Sequence, residues 1–449
     1  MGLALLASNN QYQIPPHINL LNEKLQDVAI GEINRLMVFM PPRHGKSFLV
    51  SQYFVSWYLG MFPDKRVILT AYEADFAATW GRRARDILNE YGKSVFGVEV
   101  NNKSSAANRW DIKNHNGGMV TAGVGGPITG RGADILIIDD PVKNAEEANS
   151  QTYRNRTWDW YQSTAYTRLE PDGSIILIMT RWSEDDLAGR ILHQKQQGNG
   201  EHWEIINLPA IAEEHDLLGR KPGEPLWPER YDLKELQRIK DTTGSYWWSS
   251  LYQQRPQPPG GGLLKRDWIK HYQPNELPDL KELNIYQAWD LAISMRETAD
   301  YTVCTTIGVS DDNKIYVLDW YRDRIDFPTQ VKMVEKLAKK WDPLQIGIES
   351  NAYQKALPQQ LLENTILPIK EVNRTKDKVT RISAGFIHFE NGKVLIPENH
   401  QELENFINEY VYFPQGRHDD MLDSMELALK LSKDPCYDLD PYLIVGSNY

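Results

Sequence analysis

Four runs of apolar residues punctuate the first half of the chain: Arg35 to Met40 (RLMVFM), Arg66 to Tyr72 (RVILTAY), Ile135 to Ile138 (ILII) and Ser174 to Thr180 (SIILIMT). A strand that is apolar on both faces must be covered on both faces. Helical stretches stand between the runs, from Lys46 to Leu59 with Gly60 at its end, and from Ala74 to Tyr91. The combination predicts an α/β domain whose parallel-rich sheet carries helices on both sides and binds nucleotides at the carboxyl ends of its strands.

A chain of 449 residues exceeds what one core organises, so a second domain is expected. From Leu208 the texture turns to Pro, Gly and charge around GRKPGEPLWPERY. A short amphipathic helix follows (Leu233 to Lys240), then Tyr246, Trp247 and Trp248, and the segment closes on RPQPPGGG (Arg255 to Gly262). Such a closing run does not fit inside a regular element, which predicts domains at 1–207 and 263–434, a connecting segment at 208–262 and a flexible tail at 435–449. The three aromatic residues are expected to pack the two halves together rather than stack on bases. Beyond Leu263, Ile285 to Leu291, Tyr301 to Val309 and Lys314 to Trp320 read as a β-meander with a turn at Ser310 to Asn313. Helix Pro328 to Trp341, strand Gln345 to Glu349 and helix Ala356 to Asn364 come next, giving a mixed sheet.

Composition narrows the function classes. No apolar stretch is long enough to cross a bilayer, and MGLALLASNNQYQ lacks the basic start of a secretory signal. Cys304 and Cys436 are too few for a disulfide framework or a cysteine-based zinc site, which suits a reducing cytoplasm. A net charge of -11 argues against a surface coated for non-specific nucleic-acid binding. It leaves room for a local basic patch.

Pro41 to Ser47 reads PPRHGKS between an apolar strand and a helix, the context that gives a phosphate-binding loop its meaning. Backbone N–H groups of Arg43, His44 and Gly45 and the helix N-terminus would face the phosphates of ATP, Lys46 would neutralise them, and Ser47 would ligate Mg²⁺. Met40 stands where such a loop usually begins with glycine. The strand ILIIDDP ends in Asp139, expected to hold Mg²⁺ through water, and Asp140, expected to orient or deprotonate the attacking water. Just before it, TGRGAD places Arg131 between glycines, where an arginine finger could project; Arg43 is its rival for that role. Arg82, Arg83 and Arg85 read as an exposed helix face.

A second constellation lies downstream. Asp290 ends NIYQAWD, Glu349 ends QIGIE, and HDDMLD (His418 to Asp423) supplies Asp419, Asp420 and Asp423 on a helix. Those are the positions of an RNase H-like nuclease, in which two Mg²⁺ or Mn²⁺ ions held by carboxylates support in-line displacement at a phosphodiester. Asp420 and Asp423 stand at i and i+3, Asp419 and Asp423 at i and i+4, so either pair can share a face. Both Asp419 and Asp420 remain open as the direct ligand, with Asp420 preferred. Lys376, Lys378 and Arg381 of RTKDKVTR (Arg374 to Arg381) suit either a phosphate contact or a solvated helix end.

PPRHGKS, TGRGADILIIDDP and LIMTRW (Leu177 to Trp182), in this order, resemble the ATPase half of tailed-phage terminase large subunits. The resemblance continues through LPAIAE, LWPERY and YQQRP and covers most of the chain. It implies a RecA/ASCE-like P-loop ATPase joined to an RNase H-like nuclease, with Thr180 in a motif coupling hydrolysis to DNA movement, and it carries over Asp290, Glu349 and the HDDMLD aspartates as the nuclease acids. Asp140 is one methylene shorter than the Glu the family often places there. Also implied are double-stranded DNA, a portal protein and a small terminase subunit as partners, a pentamer at work from a chain often monomeric alone, and residence in the host cytoplasm with transient attachment to the procapsid portal, absent from the mature virion. A helicase fused to a nuclease would need a second motor domain, for which residues 208–284 are too short. A docking subunit with a dead nuclease fits poorly with intact acidic positions.

Overall fold

The structure, a computed structural model, describes residues 1–433 other than 127, 129–131, 199, 257–262, 293–300, 350–355, 375–376, 415 and 417. It divides into two compact units, Met1–Pro259 and Gly260–Tyr449. Arg131, Lys376, Cys436 and the expected tail fall outside the described residues.

The first unit is organised by an eight-stranded sheet of β1 (Arg35–Phe39), β2 (Arg66–Ala71), β3 (Val100–Ala106), β4 (Arg109–Ile112), β5 (Gly118–Gly123), β6 (Ala133–Asp139), β7 (Leu169–Met179) and β8 (Glu204–Asn207). Their order is β3-β4-β5-β2-β6-β7-β1-β8. All neighbours from β5 to β8 pair in parallel, and β3 and β4 add an antiparallel edge. The four apolar runs are the four central strands, and their residues feed two cores, one on each face: Leu36, Val38, Ile135, Ile137, Ile176 and Ile178 on one, Met37, Phe39, Leu136, Ile138, Leu177 and Met179 on the other. The expected doubly covered parallel-rich sheet is therefore present.

Local departures have physical causes. The helix after the phosphate-binding loop is a π-helix over Phe48–Phe54 and an α-helix over Val55–Met61. The helix after β2 extends to Val95 and that of the connecting segment to Trp247, the latter kinked at Gly244, whose φ of 76° only glycine adopts freely. Residues 208–259 group with the first unit: Leu208 and Leu226 enter its core, and Ala210 N donates to Tyr252 O at 2.7 Å. Trp248 stacks on Tyr252 at 5.0 Å and Trp247 meets Trp182 edge-on at 5.7 Å, contacts made within the first unit.

The second unit holds a mixed seven-stranded sheet of β9 (Lys270–Tyr272), β10 (Asn284–Asp290), β11 (Thr302–Val309), β12 (Ile315–Asp323), β13 (Gln345–Glu349), β14 (Ile369–Val372) and β15 (Val394–Pro397). The order is β14-β13-β10-β11-β12-β15-β9, with the antiparallel meander β10-β11-β12 at its centre and parallel pairs outside it. The helix Asp420–Leu431 lies across the sheet, buried on nearly every side. Gly347 in β13 admits it, because a Cβ there would stand 2.5 Å from Leu431 Cδ1.

Candidate active sites

In the first unit the carboxyl ends of β1, β6 and β7 meet at one point. Lys46 Nζ, almost wholly buried, lies 2.9 Å from Asp140 Oδ2 and donates to Thr180 Oγ1 at 2.9 Å. Thr180 N donates in turn to Asp140 Oδ1 at 2.9 Å. Asp140 holds this double contact from a left-handed backbone, φ 47°, uncommon for a residue with a Cβ and typical of strained functional positions. Asp139 accepts from Ser47 Oγ at 2.9 Å and from Ser51 Oγ at 2.6 Å. Burial, then the charge of Asp140, pushes its carboxyl up to about 7. A hydroxyl and a carboxylate, both hard oxygen donors, are the chemistry a Mg²⁺ ion takes. Pro42, Arg43, Lys46, Ser47, Asp140 and Thr180 line a cavity of about 470 Å³.

The loop itself is held from behind. His44 turns its ring away from the cavity: it stacks on Tyr231 at 4.7 Å, its Nδ1 lies 2.9 Å from Pro42 O, and His17 Nε2 lies 3.0 Å from His44 O. Its backbone, not its ring, is what the loop can offer a phosphate. Burial lowers both imidazoles to about 4. Gly45 adopts φ 96° beside Ile18 and Trp227, a conformation that suits glycine alone. Arg43, at φ 63°, is exposed beside the cavity. Sequence reasoning missed the clamp from LWPERY and YQQRP: Trp227 packs on His44 of the loop and on His17 behind it, Tyr231 packs on His44, and Arg181 N, next to Thr180, donates to Gln254 Oε1 at 3.3 Å.

In the second unit β10 and β13 are parallel neighbours, with Trp289 opposite Ile348, so Asp290 and Glu349 leave the sheet at the same edge. Desolvation, then the charges of Asp423, Glu349 and Asp420, drives Asp290 well above the usual carboxylate range despite the opposing Arg374. Of the expected acids, Glu349, Asp420 and Asp423 therefore lie within electrostatic reach of Asp290. Asp420 and Asp423 are buried on the helix, and Asp420 Oδ2 accepts from Tyr301 N at 3.1 Å. Asp419 precedes the helix and pairs with Lys378 Nζ at 2.8 Å.

In the basic stretch Lys376 lies outside the described residues, Lys378 is exposed, and the described bases pair with carboxylates. Arg374 Nη1 lies 2.9 Å from Glu349 Oε2 and 2.5 Å from Asp423 Oδ1, Lys378 Nζ 2.7 Å from Asp423 Oδ2, and Arg381 Nη1 2.8 Å from Glu426 Oε2. Burial works against ionising Asp423, but Arg374, Lys378 and Arg381 together hold its carboxyl below the ordinary value. No group of three or more His, Cys, Asp or Glu side chains among the described residues is spaced as a ready cage for a metal. The donor set, Asp290, Glu349 and Asp420, is all carboxylate and so of the chemistry that Mg²⁺ or Mn²⁺ takes. Glu409 was not foreseen: it accepts from Met421 N at 2.8 Å and so fixes the start of the acidic helix.

Two family models cover the chain. Residues 37–271 match the terminase large subunit, T4likevirus-type, N-terminal, and residues 287–431 match the terminase RNaseH-like domain. The chain belongs to the terminase large-subunit family, with an ATPase-type first unit and a nuclease-type, RNase H-like second unit. No curated protein sequence matches it. Among solved structures it is similar to the large terminase of a thermophilic bacteriophage, at 12% identity over 91% of this chain and 98% of that one, TM-score 0.46. The HK97 bacteriophage large terminase matches at 13% identity over 89% and 91%, TM-score 0.34. The large terminase nuclease of a second thermophilic phage, G20c, with bound magnesium, matches at 14% identity over 38% of this chain and 95% of that one, TM-score 0.30. No helix among the described residues is long and apolar enough to cross a membrane.

Proposed function

We propose that this chain hydrolyses ATP in its first unit to drive viral double-stranded DNA into the procapsid, and that its second unit is a two-metal endonuclease that cuts concatemeric DNA. The observation that carries the motor half is the junction of Lys46, Asp140 and Thr180. In this reading the backbone from Arg43 to Gly45 cradles the phosphates, and Lys46 exchanges Asp140 for the β- and γ-phosphates. Asp140, released, orients the attacking water, while Ser47 and Asp139 hold the magnesium, which would neutralise charge on the phosphate oxygens. Thr180 touches both Lys46 and Asp140, so a change at either reaches Arg181 and Gln254, a route from hydrolysis into the connecting segment. Arg43 is the described candidate for the arginine finger.

In the cutting half, Asp290, Glu349 and Asp420 would hold the divalent ions, which when bound activate water and stabilise the leaving 3′ oxygen. Asp423 instead anchors Arg374, Lys378 and Arg381, and Glu409 orients the helix that presents Asp420. The first of the thermophilic-phage large terminases is known in complex with ADP, and the G20c nuclease with bound magnesium and zinc; the assignments here rest on this chain's own residues. The partners that go with this role are the portal protein and a small terminase subunit, with a pentamer of this chain at the portal in the host cytoplasm.

Two assays test the proposal. Plasmid DNA incubated with the full chain and Mn²⁺, without ATP, is expected to be cut; intact plasmid would leave a motor alone. Lys46→Ala is expected to lower ATP hydrolysis by at least about a hundredfold, the scale of losing one preorganised charge donor, and retained hydrolysis would exclude the loop assignment.

A further inference from the structure

The cavity beside the phosphate loop continues past it into an aromatic wall that the hydrolysis chemistry does not use. Phe48 directly follows Ser47, and its ring is 44% exposed, a large apolar surface left in water one residue beyond the loop. Trp80 meets it edge-on at 5.4 Å. The guanidinium carbon of Arg83 stands 5.3 Å from the Phe48 ring centre and 5.2 Å from that of Trp80. Phe76, against Trp80 at 5.9 Å, and Tyr72, stacked on Phe76 at 4.9 Å, extend the wall toward Lys143. All of these side chains line the cavity that holds Lys46, Ser47 and Thr180.

The wall is rigid. Trp80 and Arg83 stand on the helix Ala74–Val95, which is pinned to the neighbouring β3–β4 hairpin at Gly81, where a Cβ would lie 2.4 Å from Ala107 O. Trp110 Nε1 donates to Gly81 O at 3.0 Å and holds the same point. Among the described residues no carboxylate or carbonyl accepts from Arg83, so its five N–H donors stay available on a surface that is otherwise ring faces. A nucleobase combines a π face with polar edge atoms, and stacking on an aromatic ring is tolerant of which base it is, whereas an arginine at the rim adds cation–π attraction and edge donors.

We propose that Phe48, backed by Trp80 and Arg83, is the platform on which the purine base of the nucleoside triphosphate stacks. The proposal rests on the phosphate-loop reading above and adds to it where the other end of the nucleotide lies. Arg83 thereby has a role that an exposed helix face does not imply.

The test is equilibrium binding of ATP and of inorganic tripolyphosphate, each with Mg²⁺, to the full chain and its variants. Phe48→Ala is expected to weaken ATP by about tenfold or more and to leave tripolyphosphate unchanged; Phe48→Trp should restore ATP. Arg83→Met is expected to weaken ATP in the same selective way, whereas Arg82→Met, a charge change of equal size beside it, should not. ATP affinity unaltered in Phe48→Ala, or ATP and tripolyphosphate falling together, would overturn the platform while leaving the loop assignment standing. Tripolyphosphate binding that survives Lys46→Ala would overturn the loop assignment and the platform with it.

Discussion

The two sites use the same kinds of group but differ in which charge lines the open space. In the first unit a buried cation, Lys46, faces Asp139 and Asp140, and the cavity beside it is lined further by Arg43, Arg83, Lys143 and Arg230, with Asp140 its one lining carboxylate among the described residues. In the second, Arg374, Lys378 and Arg381 are set among Asp290, Glu349, Asp419, Asp420, Asp423 and Glu426, so carboxylates outnumber the cations despite three ion pairs on Asp423 alone. A pocket for a polyanion needs a cation with few competing partners, since the ligand supplies the negative charge. A pocket for divalent cations needs a surplus of negative charge, and in a fold without the ions' help that surplus must be contained by neighbouring bases.

Removing the containment is the strongest way to break the comparison. Arg374→Met would leave Glu349, Asp423 and Glu426 facing one another across a buried site, and the second unit is expected to lose about 3–5 kcal/mol. The readout is the unfolding transition that Mn²⁺ shifts upward, and an unchanged midpoint would show that the pairs are not what holds those acids.

An effect of pH sharpens the contrast from the other side. His17 and His44 are buried beneath the loop with values near 4, below the ordinary imidazole value of 6.5. A group depressed on folding binds its proton first in the unfolded chain, so the first unit keeps this contribution above about pH 6.5 and loses it as pH falls toward 4, by about 3 kcal/mol per ring. His17→Gln is expected to flatten the slope of the ATP-sensitive transition between those pH values; a slope equal to that of the parent would remove the histidine from the account. Asp319, held down to about 2, despite its burial, by His400, Lys340 and Trp341, works lower: its contribution to the second unit persists above about pH 4 and fades as pH falls toward 2.

The smallest expected effect concerns one hydroxyl. Ser51→Ala removes the 2.6 Å donor to Asp139 Oδ2 and should cost the first unit about 1–2 kcal/mol, well short of the Arg374→Met loss. A cost as large as that of Arg374→Met would mean that the first site, too, depends on charge containment.

What the sequence made legible follows from how local each signal is. PPRHGKS and ILIIDDP carry their strand context with them, and Glu349 ends the strand Gln345–Glu349 as expected. The edge strand β3, VNNKSSA, has no apolar alternation because only Val100 is buried, so it leaves no periodic trace. Nor does the π-helix, whose composition reads as an ordinary helix. Arg374 and Lys378 look from the sequence like a solvated basic run; their pairing with Asp423 and Asp419 spans about forty positions or more and exists only once the acidic helix crosses the sheet. Where the acidic helix begins, with Asp419 before it and Asp420 inside it, is likewise something i and i+3 spacing leaves undecided.

The central claim is that one chain holds two separable chemistries, each in its own unit. Its most direct test measures ATP hydrolysis and Mn²⁺-dependent plasmid cleavage side by side on the parent chain and on Asp290→Asn. Cleavage lost with hydrolysis intact is the expected result, while undiminished cleavage, or both activities failing in a chain that still folds, would contradict it.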